Sequence, residues 1–474
     1  MFVIIHTAAL LVAIAGSPVQ AVTIGEVLNT VLGGTFEIPT SILGLSINGA
    51  TQAATSVYKC VPIDHEDDCR DVTQIIRSRG FEVEEHSITT DDGYIVGLHR
   101  VINPLVDPQY RAKTRPVLLM HEALGSSDDW VISSTKVRPA RWPPVDDGEQ
   151  EQQSGTSEDA DDQRHPNSLA YYLANRGHDV FLGNVRGNAY GQRHVNRTVV
   201  DPEFWDFSLD EQIAQDLPGQ INLIRRVTGH EKVSAITWSL GATLMFGLLA
   251  DRPEYNAIVE PFIAMAPVVY VHNIKTPLKL LVPLVPVAQD ANVGIVYNDG
   301  FRAILQSIFL PTRPQRELFL KSVSAVFGPD RQGFFDVNRI STLLHHLPSG
   351  SSAKTYGQYG QFLYGKRIAH YNYGLAGNMR KYGTPVPPEY NLTAISSKSV
   401  ILFTADNDLL ADNADVNLLV SQLQHGLLER HNMADVYPLW NHIDYAYHKH
   451  VGKLLNSRLV EILDRFNEQA RRGR

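Results

Sequence analysis

The sequence predicts an α/β protein with a mostly parallel central sheet. Three largely apolar runs carry that prediction, residues 116–120, 233–236 and 400–404, because aliphatic and β-branched residues over a strand's length mark strands buried on both faces. The second run passes across a tight turn into a helix-like run, residues 242–250. The other two empty into loops that carry ionisable side chains. With 474 residues the chain can bury a large core, and its net charge of −9 gives no basic footprint for nucleic acid.

The turn between the second strand and its helix is Thr237-Trp238-Ser239-Leu240-Gly241. A serine there suggests a nucleophile elbow, in which the sharp turn holds the hydroxyl clear of the backbone and aims the first helix amides at the oxygen that becomes negative in acyl transfer. Gly241 supplies the small residue that close strand–helix approach needs, and Thr237 does not. By itself Ser-x-Gly is more often an ordinary turn than a nucleophile, so Ser239 needs partners.

A serine nucleophile requires a histidine base and a carboxylate to orient it, and in α/β-hydrolases the chain order is serine, acid, histidine. Both follow in that order. The strand at 400–404 runs into Ala405-Asp406-Asn407-Asp408-Leu409-Leu410-Ala411-Asp412, and a carboxylate at a strand end fits the orienting role. Residues 436–440 read as another short strand, with His442 in the loop beyond it. From spacing alone an alternative stands: Asp412 and Asp415 as helix N-caps, Asp406 and Asp408 in a solvated turn, and His442 as one of 18 histidines. Upstream, the strand at 116–120 runs into His121-Glu122-Ala123-Leu124-Gly125, where a second oxyanion donor is expected. The backbone amides of Ala123 and Leu240 are the candidate pair.

Three further motifs are long and specific: Thr90-Asp91-Asp92-Gly93-Tyr94-Ile95, Leu182-Gly183-Asn184-Val185-Arg186-Gly187-Asn188, and Phe204-Trp205-Asp206-Phe207-Ser208 with Asp216-Leu217-Pro218. Through them, from about Asp71 to near the C-terminus, the chain resembles the acid lipases, the family of gastric and lysosomal lipases and their invertebrate relatives. The motifs are similar to that family's first hairpin, its loop after the next strand and the helix before its elbow. The resemblance implies an α/β-hydrolase fold with an inserted cap or lid, and, with no zinc-spaced cysteine set or dinucleotide fingerprint in the sequence, no cofactor or metal is expected. It also implies a serine esterase whose partner is a neutral lipid, triacylglycerol or sterol ester, at a lipid–water interface. It puts the catalytic acid at Asp408, with Leu410-Ala411-Asp412 and Asp415-Val416 following as in the family, and the base at His442, through the His-x-Asp pattern completed by Asp444.

Two positions depart from the family. Its usual Gly-His-Ser-Gln-Gly elbow is replaced here, which implies less packing room at Thr237 and an unchanged nucleophile. Its His-Gly-Leu oxyanion loop is here His121-Glu122-Ala123. A glutamate at that point is expected either to twist the Ala123 amide or bring negative charge to the oxyanion, impairing catalysis, or to point to solvent and leave the donor in place. The triad alone says only acyl transfer. An impaired lipid-binding relative and a short-chain esterase or acyltransferase are therefore the alternatives.

Residues 2–14 form a largely apolar run of signal-peptide length, and Val19-Gln20-Ala21 has cleavage-site spacing. Residues 1–21 are thus expected to be a signal peptide and the product secreted or lysosomal, with no membrane span after cleavage. In that route Asn196 and Asn391 are candidate glycosylation sites, and the only cysteines, Cys60 and Cys69, are candidate disulfide partners. The expected organisation is an N-terminal extension at 22–70, hydrolase core at 71–267, a cap at 268–388 and the remaining core at 389–474. The family often carries cysteines in its cap; none stands here, which implies a cap held by packing alone. Residues 135–165 form an acidic low-complexity insert whose composition is not expected to support packing.

Overall fold

The computed structural model describes residues 60, 62–143, 162–279, 291–330, 335, 337–423 and 425–472. The expected signal peptide, all of residues 22–59 and the centre of the acidic insert lie outside the described residues. Among the described residues, β1 (Glu82–Thr89) and β2 (Tyr94–Ile102) form an antiparallel hairpin around Gly93. They are followed by β3 (Val117–Met120), β4 (Val180–Leu182), β5 (Arg193–His194), β6 (Val233–Trp238) and β7 (Val259–Met265). A helical cap follows, containing the ribbon β8 (Gly294–Ile295) and β9 (Ser351–Ser352), before β10 (Val400–Thr404) and β11 (Glu429–Asn432) complete the main sheet.

The sheet runs β1-β2-β4-β3-β6-β7-β10-β11, with β5 beside β2, and it is parallel from β4 to β11. Every residue of β3, β6 and β10 is buried, as expected for strands covered on both faces. The helix Leu240–Asp251 is apolar all round, and its residues from Leu240 to Ala250 are buried. Register matters most for the site. Met120 pairs with Thr237, Trp238 with Met265 and Met265 with Phe403, so the carboxyl ends of β3, β6, β7 and β10 lie level. The loops leaving those ends converge in the place where open α/β sheets bind ligands.

Three expectations fail. Residues 436–440 are a turn: the amides of Val436 and Tyr437 return to the Met433 carbonyl, and Pro438 cannot donate to a ladder. The edge strand is instead the polar segment Glu429–Asn432, held by its parallel register with residues 401–404 and by His431 stacked on Phe403. The acidic insert packs at both ends, where Val137 is fully buried and Ser134 donates to Asp162 at 2.7 Å, while Gln163 exchanges two bonds with the Arg138 backbone. Nor is the cap held by packing alone. Ser341 and Thr342 donate to Asp68, Arg339 pairs with Asp67, and His346 meets Asp128 at 3.0 Å. Asp67 and Asp68 lie in the short loop closed by the Cys60–Cys69 disulfide.

Candidate active site

Ser239 sits between β6 and its helix at φ 53°, ψ −109°, a region that costs a non-glycine residue about 1–3 kcal/mol. The turn is held by bonding on both sides. The Ser239 amide donates to Met265 O at 3.0 Å, and the Ser239 carbonyl accepts from the amides of Ala242 and Thr243. Gly241 is required where it stands, because a Cβ there would lie 2.7 Å from the Met120 carbonyl oxygen and 3.0 Å from that of His121. Its own amide donates to His121 O, which ties the elbow to the mouth of β3. Thr237 is accommodated, fully buried, within β6.

Around the serine, two side chains predicted from far-apart segments come together. His442 Nε2 lies 2.8 Å from Ser239 Oγ, and His442 Nδ1 lies 2.8 and 3.1 Å from the two oxygens of Asp408. All three residues are buried. With Nδ1–H donated to the carboxylate, Nε2 presents a lone pair to the hydroxyl. Asp408 Oδ1 also accepts the amides of Leu410 and Ala411, at 2.8 Å each, in place of lost water. The neighbouring aspartates do other work. Asp406 binds Asn413 and Asn432, Asp412 caps the following helix, and Asp415, which is no cap, accepts from the backbone and side chain of Asn273. Asp444 accepts the Asn441 amide, and burial pushes its carboxyl up to about 8.

The amides of Ala123 and Leu240 donate to no group among the described residues, so both are open to a ligand oxygen. The loop carrying Ala123 is braced from beneath. Burial lowers the His121 imidazole to about 4, and this neutral ring bonds the Glu122 carbonyl through Nδ1 at 2.7 Å and the Asn188 amide through Nε2 at 3.2 Å. Asn188 also reaches Gly125 O, and Asn184 accepts the Ser127 amide. From above, the cap residue Ser349 donates to Leu124 O, and Tyr359 donates to Thr243 on the elbow helix. Glu122 does not point freely to solvent. Burial, together with repulsion from Asp129, raises its carboxyl well above the ordinary range, and it also faces Tyr356, Tyr359 and Tyr447. Glu122 and Asp129 between them therefore retain a proton where exposed carboxylates would have lost theirs.

Several residues that position this site carried no signal of their own in the sequence. Trp238 donates from its indole to the His442 carbonyl at 3.1 Å, and Tyr447 donates to Asp129. The fully buried Arg186 bonds Asp216 and Asp92, and only its place inside a recognisable motif could have marked it.

Residues 72–134 match the model of a partial α/β-hydrolase lipase region, and residues 155–275 match that of the α/β-hydrolase fold. Gastric triacylglycerol lipase of Bos taurus is 28% identical over 83% of this chain and 90% of its own. Lipase member K of Homo sapiens is 27% identical over 83% and 91%, and Lipase 1 of Drosophila melanogaster 28% over 85% and 82%. Over most of its length the chain is similar to the acid lipases. It is a carboxylic ester hydrolase with an α/β-hydrolase core and an inserted cap. No helix among this acid-lipase relative's described residues is long and apolar enough to cross a membrane. Asn196 and Asn391 are both exposed.

Proposed function

We propose that the protein is a lipase that cleaves the ester bonds of neutral lipids, triacylglycerol or sterol ester, through an acyl-enzyme on Ser239. His442 takes the hydroxyl proton as Oγ attacks the ester carbonyl, and Asp408 holds the imidazole in the accepting tautomer and stabilises the imidazolium. The amides of Ala123 and Leu240 receive the oxyanion. The same proton passes to the leaving alkoxide, and water activated by His442 then releases the acid. The observation that carries the reading is the continuous relay of 2.8 Å contacts from Oγ through the imidazole to the carboxylate, at a serine with positive φ.

The choice of neutral lipid is supported by the likeness to gastric triacylglycerol lipase and by the cap surface. On the cap helix Gly374–Tyr382, Leu375 and Met379 stand one turn apart and are 69% and 49% exposed, an apolar face suited to a lipid–water interface. Cleavage after Ala21, glycosylation at Asn196 and Asn391, and delivery outside the cell or to the lysosome complete the proposal.

The test is hydrolysis of emulsified long-chain triacylglycerol by the secreted protein. Ser239→Ala should lower turnover by roughly 10⁴-fold or more; retained activity would defeat the reading. The second reading, an impaired lipid-binding relative, draws on Glu122 in the oxyanion loop. It is weakened because the Ala123 amide is open and because burial and the neighbouring Asp129 both disfavour a charge on Glu122. An inert wild type that gains activity as Glu122→Gly would establish it instead.

A further inference from the structure

The cap helix Arg313–Phe327 ends directly against both loops that carry the acid and the base. The carbonyl of Phe327 accepts the amide of Leu409, next to Asp408, and the amide of His442 itself, each at 3.3 Å. The Phe327 ring lies parallel to the His442 imidazole, with centroids 6.0 Å apart and planes 10° from parallel. Gly328 follows at φ 133°, and its carbonyl accepts from the Asn441 side chain at 3.2 Å. The Pro329 carbonyl accepts from the Asn407 side chain at 2.9 Å, and Asn407 also donates to Leu439 O at 2.7 Å. No side chain fits at Gly328. A Cβ there would lie 2.1 Å from the Asn407 carbonyl oxygen and 2.8 Å from Asn441 Cβ.

Three consecutive cap residues thus hold the neighbours of Asp408 on both sides and the neighbour of His442, along with the His442 backbone. The opposite side of the His442 peptide is held by the core, since Trp238 at the elbow donates to its carbonyl. The imidazole is aimed from two directions, one belonging to the cap and one to the sheet.

We propose that the turn Phe327-Gly328-Pro329 is a positioning element for the reaction, which keeps the acid and base loops in register so that the triad is assembled only while this end of the cap is seated. The proposal rests on the triad reading. It assigns the cap a role in chemistry that is separate from covering the substrate: these residues act through His442 and Asp408. A misplacement of reacting groups by about 1 Å costs on the order of a hundredfold in rate, and the two hydrogen bonds that Phe327 O accepts from the Leu409 and His442 amides are the contacts that limit such movement.

Gly328→Ala, Phe327→Ala and Ser239→Ala variants of the full chain would be compared on a soluble short-chain ester, which removes interface binding from the measurement. Gly328→Ala is expected to lower kcat by roughly ten- to a hundredfold with KM changed less than about threefold. Phe327→Ala, which keeps the carbonyl and loses the stacked ring, should show a smaller loss of kcat and a displaced acid limb in the pH profile of kcat/KM. A merely structural role would not move that limb. Should Gly328→Ala fail to fold, Phe327→Ala decides alone. A kcat within twofold of wild type and an unmoved pH profile overturn the proposal. Activity surviving in Ser239→Ala would instead defeat the triad reading, so the two failures are distinguishable.

Discussion

Glu122 shows how one side chain can occupy an oxyanion loop without carrying full charge there. Its carboxyl is partly covered and lies beside that of the buried Asp129, and both are raised, so in acid the pair is neutral or holds at most one charge. As pH rises the shared proton is lost and negative charge appears on the loop proposed to receive the oxyanion. Glu122→Gln, which has the same shape and no charge, should therefore keep activity within about threefold of wild type in acid and retain more of it on the alkaline side, since an oxyanion contact is worth about 2.7–4 kcal/mol. Turnover of a soluble ester across the pH range checks this; parallel profiles would show that Glu122 has no electrostatic part in the reaction. Gly241 makes the companion case in sterics. A methyl group there presses on two backbone carbonyls, those of Met120 and His121, which cannot swing aside as a side chain would. Gly241→Ala should move the loop that carries Ala123 and lower kcat about 10²- to 10³-fold, with KM little changed.

The hairpin, the loop after β4 and the helix before the elbow meet at Arg186. Its guanidinium donates to Asp216 at 2.7 and 2.9 Å, also pairs with Asp92, and lies 4.1 Å from the centre of the Tyr94 ring. Its own amide donates to the second Asp216 oxygen. Arg186→Met would leave Asp216, whose carboxyl burial already raises, without its guanidinium partner, at a cost of about 3–5 kcal/mol. The double variant with Asp216→Asn should recover part of that loss in urea unfolding. Sequence patterning reached these elements unevenly, and the physical reason is burial. β3, β6 and β10 were legible because strands covered on both faces are predominantly apolar, and the elbow because it joins such a strand to an apolar helix. β11 was not, because an edge strand bonds on one side only and tolerates Glu429, Arg430, His431 and Asn432. The apolar Val436-Tyr437-Pro438-Leu439-Trp440 segment nearby imitated a strand although it folds as a turn. Ser239 and His442 stood out by their loop positions, whereas Asp408 was singled out among its neighbours only by family likeness. Phe327 could not be found at all, since its part is played by a backbone carbonyl and any residue type supplies one.

Across the whole molecule, the cap is fastened to the core by buried ionisable groups, and this makes its attachment depend on pH. His370, which follows the cap helix Ala353–Gly365, lies 3.4 Å from Asp210 and 3.3 Å from Asp251, the last residue of the elbow helix. Its ring stacks on Tyr390 and approaches Tyr382, and both of these hydroxyls also reach Asp210. Burial by itself would favour the neutral imidazole, yet the two carboxylates outweigh it and raise His370 to about 9. A folded-state value above the unfolded one means that the stabilisation is complete below about pH 6.5 and disappears as pH rises through about 9. Over that interval this one group would remove about 3 kcal/mol from the folded state. The His346–Asp128 pair, which links the cap to the segment after the oxyanion loop, adds a loss of the same sign, because Asp128 overcomes burial and raises His346 as well. At the acid end the link lasts until Asp210 is protonated, and its carboxyl is held below the ordinary range despite burial by His370 and its other hydrogen-bond donors. His370→Gln should be less stable than wild type in acid and should lose less stability between pH 6.5 and 9, so that the two unfolding curves converge on the alkaline side. Urea midpoints at a series of pH values measure this directly. If the two proteins instead lost stability in parallel over that interval, the alkaline weakness would lie elsewhere and His370 would be an uncharged spacer between cap and core.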